Sequence, residues 1–167
     1  MAEIVNKVKD SGLIQLDMAE FKPSISILGI DLTEQLWQGL VLREKDFRSW
    51  ISTHDWSAYD HTAVYIFCSS DAIIPTWAYM LIGSELSKFS VYFLVGSKID
   101  LEKRLIEREI QNLDLSKFKD QRVIVKGCSD IPNPDFASTA LVAHIRPVVK
   151  SLMYGEPCST VPIYKKR

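Results

Sequence analysis

Between residues 62 and 154 the chain alternates three times between a short apolar run and a longer stretch with helical spacing. Residues 62–67, 91–95 and 122–126 are rich in β-branched and aromatic side chains and read as strands. Residues 74–86, 99–113 and 134–154 follow them as helices. Leu101, Leu105, Ile106, Ile110 and Leu113 recur at the spacing of one buried helical stripe. Pro75 suits the first turn of its helix, and Ser97 with Asp100 forms a capping box with Asp in place of Glu. Strands that alternate with helices pair in parallel through right-handed crossovers. Their near-continuous apolarity is what a sheet covered on both faces requires. The expected fold is therefore α/β: a three-layer sandwich on a mostly parallel open sheet of four or five strands.

Upstream, residues 13–16 and 25–30 read as further strands that extend this sheet, with room for one of them to be antiparallel. Residues 33–39 read as a short helix capped by Asp31 or Thr33. Residues 44–53 place Phe47, Trp50 and Ile51 on one helical face. The sequence predicts a single domain: N-terminal strands in 1–42, a βαβαβα core in 43–155, and a cysteine-containing tail in 156–167. Gly155 is expected to end the last helix. The helix from Trp77 to Ile82 is apolar nearly all round, which predicts burial or a homodimer face.

The 167 residues are 47% hydrophobic and 25% charged, enough to bury one core. A net charge of −1 and a pI near 6.3 argue against a nucleic-acid partner, and Lys165-Lys166-Arg167 reads as a solvated end. No apolar run approaches a membrane span, and the first residues show no signal-peptide core. A cytoplasmic location is expected. Three cysteines in a reducing compartment do not make a disulfide framework.

Candidate chemistry gathers at two places. Cys68-Ser69-Ser70-Asp71 and Cys128-Ser129-Asp130 each close a strand and precede a helix. In an open α/β sheet that is the carboxyl edge, where ligands bind. Helix N-termini favour anions and lower thiol pKa values. Ser69, Asp71, Ser97, Ser129 and Asp130 are the candidate small-molecule or nucleotide contacts. Ordinary helix capping and a buried thiol explain the same residues equally well. Cys158 lies between Pro157 and Pro162 in a loop setting, and with Cys68 and Cys128 it could ligate zinc, iron or an iron–sulfur cluster. A helix from 134 to 154 would, however, carry Cys158 to the amino edge, unless Pro147 breaks it. His54 and His61 precede the first core strand and would share that amino edge, as metal ligands or as part of a turn. Neither a phosphate loop nor a nucleophile elbow is present.

Glu44-Lys45-Asp46-Phe47-Arg48, Pro75-Thr76-Trp77-Ala78-Tyr79-Met80-Leu81 and Gly155-Glu156-Pro157-Cys158-Ser159-Thr160-Val161-Pro162 resemble an uncharacterised bacterial family, the domain of unknown function numbered 2480. The resemblance spans nearly the whole chain and brings no catalytic residue with it. Genes of that family lie near iron–sulfur assembly genes, so the resemblance implies an accessory role in cluster or sulfur handling, with assembly proteins as partners. The residues themselves leave three readings open: a thiol- or metal-dependent accessory protein, a small-molecule-binding domain, and a dimeric interaction protein.

Overall fold

The computed structural model describes residues 12–127, 130–156 and 158–167. In chain order its elements are β1 (Leu13–Leu16), β2 (Ile27–Asp31), β3 (Leu36–Trp37), β4 (Val41–Leu42), α1 (Glu44–Thr53), β5 (Ala63–Phe67), α2 (Thr76–Leu86), β6 (Tyr92–Val95), α3 (Lys98–Gln111), β7 (Arg122–Val125), α4 (Pro134–Ile145), β8 (Ser151–Glu156) and β9 (Ser159–Lys165). The fold is mixed α/β with open, mostly parallel sheets, as the alternation predicts. The strands do not form one sheet. They belong to two compact units: a continuous one, Ser24–Glu102, and a split one made of Met1–Pro23 and Lys103–Arg167.

The continuous unit carries a parallel sheet in the order β2-β5-β6. Register sets Ile30 beside Ile66 and Ile66 beside Val95. Central β5 buries Ala63, Val64 and Ile66. Ala78, Ile82 and Leu86 recur every fourth residue of α2 and enter the same core as Phe47 of α1. Ile82, Leu86 and Phe47 each contribute about 1.5–3 kcal/mol by leaving water, and the single methyl of Ala78 contributes less. Trp77, Tyr79 and Leu81 pack half-buried against this core, while Met80 is 70% exposed. The helix expected over 33–39 is absent. A single 3₁₀ turn, Leu32–Gln35, is capped by Asp31, and β3 and β4 follow as an antiparallel pair. Gln38 and Gly39 reverse the chain there at positive φ, which helical backbone does not visit.

The split unit carries the order β1-β7-β8-β9, parallel except for β9 against β8. The antiparallel strand of this sheet is thus its last one, and both upstream strands, β1 and β2, pair in parallel. The helix expected over 134–154 stops at Ile145. Pro147 has no N–H to continue it, and its ring would meet the carbonyl four residues back. The chain then returns as β8 beside β7, and the expected tail is strand β9. Gly155 ends no helix. It lies in β8 at φ +120°, where a Cβ would sit 2.5 Å from the Ser159 carbonyl oxygen. The core gathers Leu16 and Phe21 with Ile106 and Ile110 of α3, Val123 of β7 and Leu141 of α4.

Candidate functional site

At the carboxyl edge of β2-β5-β6, Asp31 ends β2 and Cys68 follows β5. Asp31 Oδ1 accepts from the Thr33 amide at 3.0 Å, the Thr33 hydroxyl at 2.8 Å and the Ser69 amide at 3.0 Å. Burial opposes ionisation of this carboxyl. The hydrogen bonds from Ser69 and Thr33 outweigh it and hold the pKa at about 2. The Thr33 hydroxyl lies 2.9 Å from Ser69 Oγ and 3.6 Å from Cys68 Sγ, and it accepts from the Ser69 and Ser70 amides. Cys68 is half-buried and faces Tyr79. Burial, and then the neighbouring Cys68, raise the Tyr79 hydroxyl. Ser69 therefore stands where the sequence places it, but its partners Asp31 and Thr33 read only as caps. Exposed Asp71, Lys98 and Asp100 lie on the segments that leave β5 and β6 at this edge.

Ser97 is engaged in capping α3. Asp100 Oδ2 accepts from the Ser97 amide at 2.8 Å and the Ser97 hydroxyl at 2.6 Å, and Ser97 Oγ accepts the Asp100 amide at 3.2 Å. His54 stands among aromatic rings. Its centroid is 4.9 Å from Trp50, 4.7 Å from Trp56 and 5.7 Å from Tyr59, and its Nε2 is 3.1 Å from the Tyr59 hydroxyl. Burial lowers its pKa, against the charge of Asp55. His61 is exposed, at positive φ, 3.6 Å from Asp60. The His54–His61 segment is a turn whose rings pack together.

In the split unit Cys158 is exposed at the tip of the β8–β9 hairpin, where Glu156 opposes Ser159. Because β8 runs parallel to β7, the hairpin leaves the sheet at its carboxyl edge, not the amino edge that an unbroken helix would dictate. Asp130 pairs with Lys22, and Lys126 pairs with Asp17 at 3.2 Å. Cys128 and Ser129 lie outside the described residues.

A mostly apolar groove in this unit lies beside α4. A crossover helix covers the strands it joins, and here those are β7 and β8. β9 lies one strand further out, so the sheet face next to α4 is uncovered. A groove of about 360 Å³ runs there, walled by Leu141 and Val142 of α4 and by Leu152 and Ile163 of the sheet. Val125 and Tyr154, a register pair near the carboxyl edge, close one end, and Asp135 and Ser138 supply polar groups from α4. Tyr154 donates its hydroxyl to the Gly127 carbonyl at 3.0 Å.

A family model described as protein of unknown function (DUF2480) matches residues 2–166. The chain belongs to this family. No curated protein and no solved structure matches it.

Among the described residues of this DUF2480 protein, no three His, Cys, Asp or Glu side chains come together as a metal site needs. No helix among them is long and apolar enough to cross a membrane. His144 is half-buried on α4, its Nε2 buried without a hydrogen-bond partner. The α4 groove was missed in the sequence because β8 and β9 were hidden there. Its helical wall alone, Leu141 and Val142, reads as ordinary core.

Proposed function

We propose that this DUF2480 protein is a small-molecule-binding accessory protein, with its ligand in the groove between α4 and β8–β9. The observation that supports this reading is the groove itself. It has the volume and the mostly apolar lining of small-ligand sites, with a few polar groups at one side. Asp135 and Ser138 favour a ligand that presents a positive or hydrogen-bond-donating group to an apolar body. Benzylamine has that chemistry and serves as the probe. Isothermal titration is expected to give saturable binding to the native chain. Asp135→Asn should weaken it by about tenfold, the order of one charge-assisted hydrogen bond. Ser138→Phe should abolish it by filling the groove while far-UV dichroism stays unchanged. Binding undiminished in Ser138→Phe would overturn the reading.

A second reading, thiol chemistry in metal, iron–sulfur or sulfur handling, is favoured by the exposure of Cys158 at the hairpin tip. On this reading Cys158→Ser removes most of the metal or labile sulfur that copurifies with anaerobically prepared protein. Unchanged content after that substitution would exclude Cys158 as ligand or acceptor.

A further inference from the structure

Sheet register brings together four cations that are far apart in the sequence. Arg122 opens β7, Ser151 opens β8 and Lys165 closes β9, and the pairings Arg122↔Ser151 and Ser151↔Lys165 set them in one row across the sheet. Strand spacing puts the backbones of Arg122 and Lys165 about 10 Å apart, on either side of a serine. The Lys166 amide donates to the Lys150 carbonyl at 2.9 Å, and the Lys150 amide donates to the Gln121 carbonyl at 2.8 Å, so Lys150 and Lys166 are fixed beside that row. Arg122, Lys150, Lys165 and Lys166 line a groove of about 420 Å³. Met153 and Tyr164 form its apolar part, and the Arg146 guanidinium lies 4.8 Å from the centre of the Tyr164 ring.

Charge balance makes this concentration notable. The whole chain carries 20 Lys and Arg against 21 Asp and Glu. Among the described residues, the acid paired with a groove cation is Asp120, held by Lys166 at 3.0 Å. Among the described residues no carboxylate comes within ion-pair distance of Arg122, Lys150 or Lys165. Like charges in one cross-strand row repel, and an anion seated between them removes that cost. A guanidinium fork flanked by ammonium groups and a hydroxyl matches the oxygens of a phosphate.

We infer that this groove binds a phosphorylated small molecule. The phosphate spans Arg122, Ser151 and Lys165, and the rest of the ligand lies against Met153 and Tyr164. The site adjoins the α4 groove, with which it shares Met153, but its cations are not part of that groove and the inference does not depend on the function proposed for it.

Phenyl phosphate is the probe, followed by amide chemical shifts in the full chain at low salt, with inorganic phosphate in a parallel titration. Saturable shifts at residues 122, 151 and 165 are expected, tighter for the phenyl ester than for phosphate and weaker at high salt. Arg122→Ala and Lys165→Ala should each weaken binding about tenfold. Lys45→Ala, an exposed lysine of α1, should leave it unchanged. All four groove cations are exposed, so unchanged amide spectra away from the groove confirm that the variants fold. Equal affinity in Arg122→Ala, Lys165→Ala and Lys45→Ala, or no shifts at millimolar probe, would overturn the inference.

Discussion

Asp31 and His54 show how the same chain treats two titratable groups in opposite ways. Asp31 is surrounded by donors, so its charged form is the favoured one in the fold. Its contribution to stability is complete above the unfolded carboxyl range, and it is lost as pH falls through about 2. His54 is surrounded by rings, so its neutral form is favoured. Its folded pKa lies below the ordinary histidine value of 6.5, so the unfolded chain takes up the proton first as pH drops. Stability from His54 is therefore present above 6.5 and declines below it. Urea midpoints at pH 7.5 and 5.5 are expected to fall further for the native chain than for His54→Phe. Parallel loss in both proteins would contradict the assignment of His54 to the aromatic cluster. At sequence level His54 reads as readily as a ligand, because the pairing of Trp50, Trp56 and Tyr59 around it depends on how α1 ends, not on residue type.

At the scale of elements, the β8–β9 hairpin is the structure's main departure from what the sequence suggests. Apolar residues recur through 140–154 between His144, Arg146, Lys150 and Ser151, and Leu152 and Met153 suit a helix as well as a strand. Pro147 marks the break, but a kinked helix obeys the same signal. β9 contains Pro162, which argues against a central strand and is tolerated on an edge. There it serves a purpose, since it has no N–H to offer and a bulge between Leu152 and Met153 interrupts the ladder beside it. Both devices blunt an open edge against further pairing. Gly155 is the hairpin's conformational hinge. Gly155→Ala should destabilise the protein by about 1–3 kcal/mol, since it strains φ and pushes a methyl against the Ser159 carbonyl. A chemical-denaturation midpoint equal to the native one would show that the turn relaxes freely. By contrast α2, α3, β5, β6 and β7 were legible because their periodicity and caps agree, as the Ser97–Asp100 box illustrates.

Across the whole molecule, legibility ends where function depends on residues that only topology unites. The α/β class follows from alternation. The division into a three-stranded and a four-stranded sheet does not, because β1 pairs with β7 across more than a hundred residues of sequence. The carboxyl-edge serines were legible at Ser69, whose loop is tied to Asp31, and less so at Ser97, whose hydroxyl caps a helix. The groove beside α4 needs β9 outside the crossover helix, and the basic groove needs three strands in register. Net charge near zero concealed the second of these, since a sum over the chain says nothing about where its cations stand.

The most direct test of small-molecule binding is a crystal structure of the protein soaked with benzylamine. The ring is expected between Leu141 and Ile163, with its nitrogen toward Asp135. A well-ordered probe anywhere else, with this groove filled by its own side chains, would contradict it.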